Sequence, residues 1–393
     1  MISNSSGYAT AMSDSGLVVL GSGPAGVAAA EAYRDRRPDA PVRILSADRR
    51  RPYARPPLSK EFLRGKTDDI DLHPEQWFTE RDIVLALESR VQGFDPQQRV
   101  VTVDGEPHGY DALIFATGSS PVPLPVPGGE HALQLRSLDD AERLRAAAES
   151  ARSAVVIGAG FIGCEAAASL ALRGLSVTLV APDEAPQQKR LGIEAGRKLA
   201  GLVEASGARW LGGASVERLD ESVVHLDSGE TLEADLILAA TGVRPNTELA
   251  GVAGVPLQDS RIVADEDLST GVPQVYAAGD VALAFNTGAG RRLPIEHWQD
   301  AEDQGKVAGA TAAGDDAAWS GVPGFWTTIG DTTVKYHAWG DGYQDSRMVE
   351  HGDGFTVWYE ADGAVVAVLT CNADDDYDLG GELIQAGKPA PLR

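Results

Sequence analysis

The residues of this chain best spaced for chemistry are glycines. Gly21-Ser22-Gly23-Pro24-Ala25-Gly26 follows the apolar run Leu17-Val18-Val19-Leu20. Gly158-Ala159-Gly160-Phe161-Ile162-Gly163 follows Ala154-Val155-Val156-Ile157. Each copy has the spacing of a pyrophosphate-binding turn between a strand and an Ala-rich helix. The first glycine makes the tight turn, the second lets backbone approach the phosphates, and the third lets helix pack on strand. The helix N-terminus then offers N–H groups and a positive dipole to the anion. One such turn can serve packing alone. Two in the same context point to two dinucleotides in one chain.

That pairing suggests a flavin held permanently and a nicotinamide that delivers hydride to it. The acids near each turn bear on which is which. The second strand of the first unit, Val42-Arg43-Ile44-Leu45, is followed by Ala47 and Asp48. Of the two, only Asp48 can accept from an adenosine ribose. Further on, Val275-Tyr276-Ala277-Ala278-Gly279-Asp280 reads as a short strand ending in Gly-Asp at a helix start. Asp280 could bond a polyol hydroxyl, which the ribitol of FAD has and NAD lacks. In the second unit the strand Val177-Thr178-Leu179-Val180 runs into Ala181-Pro182, so no carboxylate stands in the ribose slot. Asp183 and Glu184 could substitute, and Lys189 and Arg190 could meet a 2′-phosphate. The missing acid removes repulsion toward NADPH without establishing a preference, so NADPH and NADH both stand.

The elements that must position these residues form two similar lobes. Ala112-Leu113-Ile114-Phe115 ends in Ala116-Thr117-Gly118, and Leu236-Ile237-Leu238-Ala239-Ala240 ends in Thr241-Gly242. The shared pattern suggests an internal duplication. The stiff stretch Pro121–Gly129 is a good linker. The expected fold is α/β, with two Rossmann-like dinucleotide-binding domains, for FAD and NAD(P), and a small C-terminal α+β domain. The expected boundaries are 1–15 for a disordered extension, 16–122 with 246–318 for a discontinuous FAD domain, 123–245 for the NAD(P) domain and 319–393 for the last. In that last part Thr333–Tyr336, Phe355–Tyr359 and Ala364–Leu369 read as strands. Asp374-Asp375-Asp376 is expected to precede a short helix at Leu379–Ala386.

Composition narrows the partners. The formal charge is −24, which repels nucleic acid and anionic membrane. No apolar run is long enough to span a bilayer, and the first fifteen residues lack a secretory pattern, so the expected location is cytoplasmic. Only Cys164 and Cys371 are present, without dithiol or metal-ligand spacing, so neither a metal site nor a disulfide relay is expected.

Further motifs carry a resemblance. Pro52-Tyr53-Ala54-Arg55-Pro56-Pro57-Leu58-Ser59-Lys60, Phe161-Ile162-Gly163-Cys164-Glu165, Thr241-Gly242-Val243-Arg244-Pro245-Asn246, Ala277-Ala278-Gly279-Asp280, Glu296-His297-Trp298 and Phe325-Trp326 are similar to signatures of one family. The chain resembles the FAD-dependent ferredoxin and rubredoxin reductases that feed oxygenases, a group that also includes apoptosis-inducing factor. The likeness runs from Gly16 and fades at Thr327–Gly330 and Ala338–Tyr343.

The resemblance implies FAD contacts from Ala25, Asp48, Arg55, Lys60, Val91, Arg136, Asp280 and Trp298, beside Gly21, Gly23, Gly26, Thr117 and Gly118. On the NAD(P) side it points to Gly158, Gly160, Phe161, Ile162, Gly163, Glu165 and Gly242, beside Lys189 and Arg190, which are candidates by their position after the second strand. It further implies that Lys60 and Glu165 pair beside the isoalloxazine ring as the catalytic residues. There a cation would stabilise the negative charge that arrives with hydride. Without that context the two would read as an ordinary surface Lys and Glu. Trp298 could stack near the flavin or belong to the core. The implied activity is electron transfer from NAD(P)H through FAD to a ferredoxin-type iron–sulfur protein. Alternatives are an NAD(P)H oxidase or small-molecule reductase, and a redox-sensing binding protein.

Overall fold

The computed structural model describes residues 15–391. The expected disordered extension therefore lies, save for Ser15, outside the described residues. By the density of contacts the chain divides into two units. The first comprises the described residues through Tyr53, Asp71–Ser119 and Pro245–Gly324. The second comprises Ala54–Ile70, Ser120–Arg244 and the described residues from Phe325 onward. This division runs across the sequence-drawn boundaries, placing 54–70 and most of 319–393 with the second unit.

The first unit is built on a five-stranded parallel sheet. Its order is Val275–Ala277, Ala112–Phe115, Leu17–Leu20, Val42–Leu45 and Ile83–Ala86. The central strand Leu17–Leu20 is buried at every position, as a parallel strand covered on both faces must be. The helix Pro24–Arg36 follows it, with Pro24 pre-set for a first helical turn and Arg34 and Arg36 at the negative end of its dipole. The helix Trp298–Ala312 packs against it so closely that small residues are obligatory. A Cβ added at Gly309 would lie 2.2 Å from the carbonyl oxygen of Ala29.

The second unit repeats the theme with a four-stranded parallel sheet, ordered Arg209–Gly212, Ser176–Ala181, Ser153–Ile157 and Leu236–Ala239. A second sheet contains Gly324–Ile329, Thr332–Ala338, Ala364–Cys371, Gly354–Ala361 and Asp345–His351, in that order. Its last four strands pair antiparallel. One apolar core joins the two sheets, with Val156, Leu179 and Leu199 in the same cluster as Tyr336, Tyr359 and Leu369. Tyr359 is fully buried, and its hydroxyl donates to the carbonyl of Leu191 at 2.9 Å. The closing helix spans Asp374–Ala386, five residues longer at its start than expected. Its three aspartates lie inside the first turn, where the dipole favours them. No helix among the described residues is long and apolar enough to cross a membrane.

Candidate functional site

In the first unit the glycine turn is held by contacts no side chain could share. Gly21 has a φ of +111°, and a Cβ there would lie 2.2 Å from the carbonyl oxygen of Ala116. A Cβ at Gly26 would lie 2.0 Å from the carbonyl oxygen of Gly21. Gly23 begins the helix, no side chain caps it, and its first turn holds no acid. The helix start therefore keeps its donors for an anion. Ala25 is buried in that first turn.

Around the turn the other residues of the first unit are held by neighbours. One oxygen of Asp48 accepts from the Tyr53 hydroxyl at 2.9 Å, the other from the backbone N–H of Arg50 at 2.9 Å. A carboxylate retains lone pairs beyond two such bonds, so Asp48 can still accept from a ribose. Asp280 accepts from the Ser119 hydroxyl at 2.5 Å. The backbone N–H of Gly279 donates to the buried side chain of Gln304 at 2.8 Å. The Thr117 hydroxyl donates to the carbonyl of Asn246 at 2.7 Å, and the Asn246 amide returns a bond to the carbonyl of Thr117 at 2.9 Å. The Asn246 N–H also donates to the carbonyl of Gly118. Val91 starts the strand Val91–Asp95 and is half-buried. Trp298 is half-buried at its helix start, with its indole N–H on Glu302 at 3.0 Å.

The second unit carries the second turn on the same plan. Gly158 has a φ of +102° beneath the carbonyl of Ala240, and a Cβ at Gly163 would lie 1.9 Å from the carbonyl oxygen of Gly158. Gly160 begins the helix Phe161–Leu172, again with no side-chain cap and no acid in the first turn. Ile162 is exposed and Phe161 packs edge-on against Phe325. Gly242 is left-handed at +100°. Lys189 is exposed and pairs with Asp183 at 3.5 Å, Arg190 is exposed, and Arg136 is half-buried beside the capping box of Ser137 and Asp140.

Lys60 and Glu165 also meet within the second unit. The Lys60 ammonium lies 3.0 Å from Glu165 Oε1, with side chains 8% and 3% exposed. Pro56 and Pro57 open a 3₁₀ turn that ends at Lys60, whose ammonium also donates to the carbonyl of Pro56 at 2.7 Å. Arg55 precedes the same turn. Glu165 takes three more bonds: from the Ser59 hydroxyl at 2.5 Å, the Thr327 hydroxyl at 2.6 Å and the Thr328 backbone N–H at 3.4 Å. A buried charge with this many partners is satisfied. Ser59 and Thr327 were not singled out by sequence. Their only signals were membership of the Pro52–Lys60 motif and the place after Phe325-Trp326 where the family pattern fades.

Both cysteines are free and buried. Burial, and secondarily the charge of Glu165, pushes the Cys164 thiol far up, away from nucleophilic chemistry. Among the described residues no cluster of His, Cys, Asp or Glu could hold a metal ion.

The pattern of the pyridine nucleotide-disulphide oxidoreductases matches residues 15–305. The chain belongs to that family. It is 32% identical to human apoptosis-inducing factor 3 over 98% of the chain, and spans 65% of that relative's length. It is 35% identical to the ferredoxin–NAD(+) reductase component of the anthranilate 1,2-dioxygenase system of Burkholderia cepacia, covering 96% of this chain and 95% of the relative. Its structure superposes on the ferredoxin reductase for the CYP199A2 system of Rhodopseudomonas palustris with a TM-score of 0.90, at 28% identity and 96% coverage of each chain. Family and relatives make FAD and NAD(P)H the cofactors. The two glycine turns, tightly packed at Gly21, Gly26, Gly158 and Gly163, and the uncapped helix starts fit those two dinucleotides.

Proposed function

We propose that the chain is an NAD(P)H-dependent FAD oxidoreductase that passes electrons to a ferredoxin-type iron–sulfur protein in the cytoplasm. The observation that carries this reading is the pair of cleared, uncapped glycine turns on two parallel sheets in one chain. The names of the reductase relatives support the acceptor. FAD, when bound, supplies the chemistry that converts a hydride into single electrons. The chain's own groups hold and orient. The helix starts at Gly23 and Gly160 take the pyrophosphates, Asp48 an adenosine ribose and Asp280 a ribitol hydroxyl. Lys60 places a cation where negative charge arrives, and Glu165 holds that cation in place. The buried Cys164 and Cys371 offer no dithiol outlet within this chain, which favours an iron–sulfur acceptor over a disulfide.

Steady-state turnover with NADH and with NADPH, against ferredoxin, a quinone and oxygen, tests the acceptor. Ferredoxin should be reduced fastest. Equal or faster turnover with oxygen or quinone would replace this reading with that of an oxidase or small-molecule reductase. Asp280→Ala should weaken FAD retention by about tenfold for one charge-assisted hydrogen bond. Fluorescence of released flavin after dilution reads this directly. Retention equal to wild type removes Asp280 from the ribitol contact.

A further inference from the structure

Gln187 stands out in the second unit because its backbone is strained and its side chain is idle. It precedes the helix Gln188–Ala205 with φ 56° and ψ 19°, a left-handed conformation that disfavours a long side chain. Such strain persists where surrounding structure imposes it, and it clusters at functional sites. Here the surroundings do impose it. The Ala185 N–H donates to the side chain of Gln188 at 3.2 Å, and Ala185 is fully buried. The Tyr359 hydroxyl pins the carbonyl of Leu191 one turn later. The helix kinks at Gly192, and a Cβ at that position would meet the Tyr343 hydroxyl at 2.5 Å.

This fixed loop aims the Gln187 amide at the second glycine turn. Among the described residues, and apart from Gly160 and its two chain neighbours, the one heavy atom within 4 Å of a Cβ built at Gly160 is Gln187 Nε2, at 3.6 Å. Gly160 is the position whose bare backbone lets a pyrophosphate approach. The half-buried amide has no hydrogen-bond partner among the described residues. A carboxamide donates two N–H bonds, and phosphate oxygens accept strongly.

We propose that Gln187 is a dinucleotide-binding residue whose carboxamide donates to the pyrophosphate held at Gly160. This rests on the reading of the second turn as the nicotinamide dinucleotide site. The pyrophosphate is common to NAD and NADP, so Gln187 contributes equally to both. Lys189 and Arg190, by contrast, can act only where a 2′-phosphate is present.

Calorimetric titration of the FAD-loaded protein with NAD⁺ and with NADP⁺ reads binding without turnover. Gln187→Ala should weaken both by about tenfold, the loss of one hydrogen bond to a charged group. Gln187→Glu keeps the shape but sets a negative charge against the phosphates, so it should weaken both further, and more so at low salt. Gln187→Gly should bind like the Ala variant yet melt no lower than wild type, because glycine carries no penalty at this φ. Wild-type affinity in the Ala variant, or equal affinity in the Ala and Glu variants, would overturn the proposal while leaving the proposed function intact. Failure of the wild-type protein to bind either nucleotide would overturn both.

Discussion

A Gly305→Ala variant will purify largely without yellow colour and will melt below the wild-type protein. The reason is a single methyl group with nowhere to go. A Cβ at Gly305 would lie 2.2 Å from the carbonyl oxygen of Ala25, and 2.9 Å from its carbonyl carbon and its Cα. All three atoms are backbone, so no rotamer can yield. The helices Pro24–Arg36 and Trp298–Ala312 must separate by about an ångström, and overpacking of this kind costs roughly 1–3 kcal/mol or more. The displaced residue matters more than the cost. Ala25 lies in the first turn of the helix that begins at Gly23, and a Cβ at Gly279 would already touch its side chain at 3.2 Å. Moving Ala25 moves the N–H groups that the pyrophosphate of FAD would use. Retention of FAD should fall at least tenfold, equivalent to about 1.4 kcal/mol. The ratio of absorbance at 450 nm to that at 280 nm after gel filtration gives the result. Gly201→Ala is the control, since nothing lies within 4 Å of its added Cβ. In the helix Gln188–Ala205 that change should be neutral or stabilising by up to about 1 kcal/mol. If the Gly305 variant retains full flavin and the wild-type melting temperature, the close helix contact does not set the turn.

The same physics explains what could be read from sequence. Gly21 and Gly158 announce themselves because left-handed backbone under a neighbouring carbonyl admits no other residue. The strands Leu17–Leu20 and Ser153–Ile157 are legible because parallel strands covered on both faces become unbroken apolar runs. Where the demand is softer, the reading fails. The strand Asp345–His351 sits at a sheet edge with no fully buried residue, so no alternation marks it. The helix Asp374–Ala386 begins earlier than read because acids that look like a turn also stabilise a helix start. Ser59 and Thr327 were out of reach for another reason. They meet Glu165 across 106 and 162 residues of chain, and a hydroxyl in a 3₁₀ turn or a strand has no spacing that reveals its partner. The family likeness supplied the Lys60–Glu165 pairing, and the fold supplied the hydroxyls that hold it.

Glu165→Ala should lower the melting temperature by about 10 °C, from a loss of roughly 3–5 kcal/mol. It leaves the Lys60 ammonium, in a site only 8% exposed, with the Pro56 carbonyl but no counter-charge, and leaves the Ser59 and Thr327 hydroxyls without their acceptor. Glu165→Gln should cost less. Its amide oxygen can stay at the Oε1 position, accepting from Lys60, Thr327 and Thr328, while its NH₂ donates to a Ser59 hydroxyl that has turned round. The decisive variant is Lys60→Met combined with Glu165→Gln. It removes both buried charges together, and replacing a buried ion pair by groups of similar volume is often neutral for stability. The double variant should therefore melt close to wild type. If Lys60 serves hydride transfer, its reduction by NADPH or NADH should still be slowed, by about a hundredfold for roughly 2.7 kcal/mol of lost charge stabilisation. Stopped-flow loss of flavin absorbance at 450 nm, compared with the melting curve of the same sample, separates the two roles. A stable double variant that is reduced at the native rate would make the pair a structural clasp and nothing more. A stable variant that is slow would place the ammonium in the chemistry, with Glu165, Ser59 and Thr327 as the frame that positions it.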